Sequence, residues 1–117
     1  MHRTTVYIAG PIKGVPDYKE RFAEAERDFS EHYNVLNPAR ILEGMEDRDC
    51  LAICLHLIDM ADSVILLPGW RSSLGANIET AYAIRQGKSV VAYGSKYWAY
   101  SVGWDGHRLT GGEDDEA

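Results

Sequence analysis

Asp62-Ser63-Val64-Ile65-Leu66-Leu67 is a polar pair running into a continuous apolar stretch, the pattern of a strand covered on both faces in the middle of a parallel sheet. Working outward, an apolar-rich segment from about Asp49 to Met60 predicts a helix before it, and Gly69 to Ser73 a turn after it. Leu74 to Arg85 then reads as a helix closed by Gly87, and Ser89 to Tyr93 as a strand. Upstream, Pro38 to Arg48 reads as loop, and Tyr33 to Leu36 as a short strand stopped by Asn37-Pro38. Asp17 to Tyr33 carries Tyr18, Phe22, Ala23, Ala25 and Phe29 at helical spacing, with Asp17 as the expected N-cap. Thr4 to Ala9 is a β-branched and aromatic run ended by Gly10-Pro11. Strands and helices alternate, so the fold class is α/β: a three-layer sandwich with helices on both faces of a parallel sheet of four or five strands. Beyond Gly94, Tyr97, Trp98, Tyr100 and Trp104 read as an irregular aromatic apron and a surface for self-association. Residues 1–110 are expected to form a single domain and 111–117 an acidic, disordered tail.

At 117 residues the chain has room for one core. The net charge is −6, but four of the 18 acids are Glu113, Asp114, Asp115 and Glu116; without them the balance is 14 acidic to 12 basic residues. A near-neutral body argues against duplex nucleic acid as a partner and leaves a small anionic ligand open. No stretch of 18 apolar residues occurs, so no membrane span is expected. Met1-His2-Arg3-Thr4 leads straight into strand pattern without a signal-peptide core, and two unpaired cysteines fit a reducing cytoplasm. Cys50 and Cys54, spaced i, i+4, do not make a zinc motif, and no metal or organic cofactor is implied.

Parallel α/β sheets bind ligands at the carboxyl ends of their strands, near the point where strand order reverses. Two loops fall there. The first, Gly10-Pro11-Ile12-Lys13-Gly14, allows close backbone approach and offers a cation to a phosphate or carboxylate; it is not a Walker loop, and a glycine-proline turn with a solvated lysine is the plain alternative. The second runs Gly69-Trp70-Arg71-Ser72-Ser73 into Leu74-Gly75-Ala76-Asn77-Ile78-Glu79, with Ser72 or Ser73 as helix cap. Helical side chains lean toward the N-terminus, and above Glu79 stand only Ala76 and Gly75. Its carboxylate can therefore reach back to the strand ends, where the positive end of the helix favours the ionised form; otherwise it is a surface glutamate. Tyr7 can orient that carboxylate or satisfy its hydroxyl elsewhere, and Trp70 can stack on a flat base or cover the end of the sheet. His56 reads as a packed helix residue, and His2, His32 and His107 pair with no serine or cysteine in a triad pattern.

In their order and spacing, Val6-Tyr7-Ile8-Ala9-Gly10-Pro11-Ile12-Lys13-Gly14, Asn37-Pro38, Ala61-Asp62 and Gly69 through Glu79 resemble the nucleoside 2-deoxyribosyltransferase-like family, and more distantly the deoxynucleoside 5′-monophosphate N-glycosidases. The resemblance covers residues 4–93 and implies a Rossmann-like, flavodoxin-type sandwich that works as a homodimer or larger homo-oligomer. It implies that Glu79 attacks the anomeric carbon of a nucleoside or nucleotide, that Tyr7 positions Glu79, and that a second base or water resolves the glycosyl ester. Gly10, Ile12, Lys13, Gly14, Trp70, Ser72, Ser73 and Gly75 would line the substrate, with Lys13, Gly14 and Ser73 matching the residues that bind a 5′-phosphate; Lys13 stands where that branch has an arginine. Eight residues before Asp62, where the family places an aspartate that contacts substrate and assists the leaving group, this chain has Cys54. That departure keeps a second class in view, a nucleotide-binding module without turnover; a purely structural domain explains the Gly75-Ala76 and Glu79 spacing least.

Overall fold

The computed structural model describes residues 3–95, 98–102 and 108–111. Strand side chains alternate in direction, and in β1 (Thr5–Ala9) this splits the residues between two cores. Tyr7 and Ala9 join Val64 and Leu66 of β3 (Ser63–Leu66) and Val90 and Ala92 of β4 (Ser89–Ser95), packed on Cys54 and Ile58 of α2 (Asp47–Met60) and Ala76 and Ala83 of α3 (Leu74–Arg85). On the other face Val6, Ile8, Ile65, Leu67 and Tyr93 meet Phe22 and Ala25 of α1 (Tyr18–Ser30). The result is the expected three-layer α/β sandwich, with α1 on one side and α2 and α3 on the other.

β2 (Asn34–Leu36) and β3 flank β1, and β4 flanks β3, all parallel. The chain thus leaves β1 in both directions, which puts the reversal of strand order between β1 and β3. The sheet is wider than the sequence suggested. β5 (Trp98–Val102) and β6 (Arg108–Gly111) continue it antiparallel beyond β4, giving the order β2-β1-β3-β4-β5-β6. The segment read as an irregular apron is therefore partly regular strand: main-chain pairing with β4 organises a stretch in which Trp98, Tyr100 and Val102 alternate with Ala99 and Ser101. Tyr97, Trp104 and residues 112–117 lie outside the described residues, as do the side chains of Trp98 and Tyr100, so the self-association surface placed there does too.

Asp17 stands at the N-cap of α1 as expected but makes no side-chain capping bond; its carboxylate accepts instead from Arg21 Nε at 3.1 Å, one turn along the helix. The Asn37-Pro38 pair has a structural task. Asn37 Oδ1 accepts from the Ala39 amide at 2.9 Å, starting a 3-10 turn over Pro38–Arg40, while its Nδ2 donates to Glu26 of α1 at 2.9 Å. Arg40 grips both Glu26 oxygens, each at 3.0 Å, and so fastens the end of β2 to α1. Asp62 is a latch just before β3, at the amino ends of the strands, accepting from the Thr5 amide at 2.9 Å.

At the carboxyl ends of β1 and β3 the two loops interlock. The Leu67 amide donates to the Ala9 carbonyl at 2.8 Å, a Cβ on Gly10 would stand 2.9 Å from Leu67 Cβ, and one on Gly69, whose φ is +89°, 3.3 Å from Pro11 Cγ. Gly10→Ala should therefore cost about 1–3 kcal/mol through overpacking, read as a lower urea midpoint at unchanged slope.

Candidate functional site

Glu79 stands in the second turn of α3, where Ser73 caps the helix by accepting from the Ala76 amide at 3.2 Å. Ala76 is buried directly over it, and Glu79 turns inward to only 8% exposure. There the Tyr7 hydroxyl donates to Glu79 Oε1 at 3.2 Å, joining β1 to α3 through the core. Cys54 of α2 is buried beside both and interacts with the Tyr7 hydroxyl and the Glu79 carboxylate. Three elements thus each contribute one protic side chain to a single buried cluster: the contact of Tyr7 with Glu79 expected from sequence is present, and Cys54 lies beside it.

Burial dominates the electrostatics. It raises Glu79 from 4.5 to about 7, against the smaller opposing effect of hydrogen bonds from Tyr7 and Cys54. The expectation that the helix end would keep this carboxylate ionised is thus corrected: loss of water outweighs the dipole, worth at most about 2 kcal/mol in favourable, partly buried geometries. Burial, reinforced by the Glu79 charge, pushes the Cys54 thiol up to about 12 and holds the Tyr7 phenol well above its ordinary value.

The other site candidates divide. Trp70 is 1% exposed, a core residue packed in the cluster that contains Tyr7, Cys54 and Ala76, with the Arg71 guanidinium 4.6 Å from its ring centroid. Of the two sequence readings it takes the second: it covers the sheet end and offers no free face to a base. Lys13 is exposed and paired with Asp47 in the first turn of α2, so its cation is shared with a carboxylate in this structure. Gly14 is exposed with φ +78°. Ile12 is half-buried against both cores at the strand ends, and Gly10 is held against Leu67. Ser72 is exposed in the 3-10 turn Trp70–Ser72, Ser73 is the cap, and Gly75 is half-buried in the first turn of α3. His56 is exposed rather than packed.

Asn77 is the residue that sequence reasoning quoted without a role. Its Nδ2 donates to the carbonyls of Trp70, Arg71 and Ser73 at 3.3, 3.0 and 2.8 Å, clamping the turn that leads into α3. Its position four residues after a serine cap was the available signal. Among the described residues no group of three or more His, Cys, Asp or Glu is arranged to hold a metal ion, and no helix is long and apolar enough to cross a membrane.

The family described as Domain of unknown function (DUF4406) matches residues 4–92 of the 117. The chain belongs to it. No curated protein matches the chain. The DUF4406 span runs from β1 into β4 and contains Tyr7, Cys54 and Glu79, whereas β5 and β6 lie beyond it.

Glu79 also sets a pH dependence. Its folded-state value lies above its unfolded one, so the folded chain holds the extra proton and stability falls as pH rises from about 4.5 to about 7. The loss should reach about 3 kcal/mol above that window. Urea unfolding at pH 5 and pH 8 checks it: wild type should lose this much more than Glu79→Gln, and equal losses would contradict the assignment.

Proposed function

We infer that the chain cleaves or transfers at the N-glycosidic bond of a (deoxy)nucleoside or nucleoside 5′-monophosphate through a covalent glycosyl-Glu79 intermediate. The observation that carries this reading is the Tyr7 to Glu79 hydrogen bond at 3.2 Å inside the buried cluster. Tyr7 and Cys54 orient the carboxylate, a Glu79 oxygen attacks the anomeric carbon as the base departs, and a second base or water then opens the ester. Glu79 at about 7 is ionised in a substantial fraction of molecules near neutral pH, enough for a nucleophile. The first turn of α3 at Gly75 and the Gly10, Ile12 and Gly14 loop offer backbone amides to a phosphate, and Ser72 and Ser73, whose own amides donate to Gly69 and Trp70, offer hydroxyls beside them. Lys13 can join them by leaving Asp47, since an exposed ion pair is worth only about 0–1 kcal/mol.

The substrate is a small molecule, and we place the reaction in the cytoplasm, a reading supported by two free thiols. A homodimer or higher homo-oligomer is favoured by Leu74 at 77% and Ile78 at 37% exposure, one turn apart on α3.

The buried Cys54, standing where the resembled family carries an aspartate, favours a second reading: a nucleotide-binding sensor or sequestering module without turnover. Incubation with a panel of deoxynucleosides and their 5′-monophosphates, with and without an acceptor base, separates the two by chromatography. Free base that disappears with Glu79→Ala supports the enzyme. A ligand that raises the melting temperature and is recovered intact supports the module instead.

A further inference from the structure

Breaking an N-glycosidic bond normally needs two things from a protein: a group to engage the anomeric carbon and an acid for the departing nitrogen. Around Glu79 the described residues supply the first and not the second. The protic neighbours of the Glu79 carboxylate among the described residues are Tyr7, 3.2 Å away, and Cys54. A phenol and a thiol in an apolar setting hold their protons too tightly to give them up near neutral pH, and burial strengthens that hold in both. Among the described residues the buried carboxylate is met by hydrogen-bonding groups and by no lysine, arginine or histidine.

We propose that the preferred substrates are N-glycosyl pyridinium compounds, nucleosides whose leaving nitrogen already bears a positive charge, because Glu79 held by Tyr7 and Cys54 is a buried nucleophile with no ready acid beside it among the described residues. The proposal rests on the glycosyl-transfer reading above and names its substrate class. A Glu79 oxygen forms a bond to the anomeric carbon while the carbon–nitrogen bond breaks, and its electron pair returns to the ring nitrogen. The pyridine leaves neutral, with no proton required. Water then attacks the same carbon, the Glu79 oxygen departs as carboxylate, and the water's surplus proton passes to solvent. The same cleavage of a neutral nucleoside expels a base anion that must be protonated. The positive ring also supplies the missing partner charge beside Glu79, which favours the ionised nucleophile.

The test compares nicotinamide riboside and its 2′-deoxy analogue with inosine, 2′-deoxyinosine and thymidine on the full chain, following free base by chromatography. The pyridinium substrates should show a kcat/KM about 100-fold or more above the neutral ones, the size of a missing general acid. Glu79→Gln should abolish both activities, and Cys54→Asp, checked for folding by its thermal melt, should raise turnover of the neutral substrates selectively. Neutral nucleosides cleaved as fast as the pyridinium compounds by wild type would overturn the substrate class and leave the glycosyl-transfer reading standing. Cleavage of neither class by folded protein would overturn both.

Discussion

Glu79→Gln should reduce base release by on the order of 10³-fold or more in kcat/KM while the protein stays folded. The amide has nearly the shape of the carboxyl group and its oxygen can still accept from Tyr7, so the hydrogen bond at 3.2 Å between β1 and α3 survives. What is lost, on the proposed reading, is the ability to form a glycosyl ester. Because burial raises Glu79 to about 7, the amide also removes a charge that is costly to bury above that pH. The variant should therefore melt at or above the wild-type temperature at pH 8, and its inactivity could not be assigned to unfolding. Steady-state base release with a thermal melt decides the matter, and residual activity within tenfold of wild type would remove Glu79 from the role of nucleophile. In wild type, acid quenching during turnover followed by peptide mass measurement should find the sugar on the peptide containing Glu79.

Trp70→Ala should cost about 3–5 kcal/mol, among the largest effects of any single substitution in this chain. Trp70 is 1% exposed and heads the fully buried side chains by volume, packed in the core that contains Tyr7, Cys54, Ile58 and Ala76. Truncation leaves a void that the rigid strand ends cannot fill. Its indole Nε1 is the one buried side-chain nitrogen or oxygen without a hydrogen-bond partner among the described residues. Trp70→Phe deletes that orphaned donor while keeping most of the ring, and should cost markedly less. Equilibrium urea unfolding of both variants is the measurement. Unchanged stability in Trp70→Ala would mean that the indole is not a core element.

Much of this was readable from residues because local and global signals agree. Val64-Ile65-Leu66 could be placed as an interior strand since both its faces are covered, and α3 begins at Leu74 because Ser73 caps it. The Tyr7 and Glu79 meeting followed from the small residues Gly75 and Ala76 above the carboxylate. Three things were not readable. The ionisation of Glu79 turns on how completely neighbouring elements exclude water, which spacing along one helix does not reveal. Trp70 could lie over or under the sheet end until the 3-10 turn that aims it was known. The antiparallel β5 and β6 rest on main-chain pairing with β4 and with each other, which side-chain identity does not report, and the partner of Lys13, Asp47, is 34 residues away in sequence.

The meshing of Gly10 with Leu67 and of Gly69 with Pro11 has a bearing on any attempt to retune the protein. Neither loop is an independent dial. A side chain introduced at position 10 needs a smaller residue at 67, and a bulkier Leu67 replacement has nowhere to go while β1 ends where it does. Changes in the two loops should accordingly be strongly non-additive, and a library that varies one bend at a time would miss most of the workable combinations.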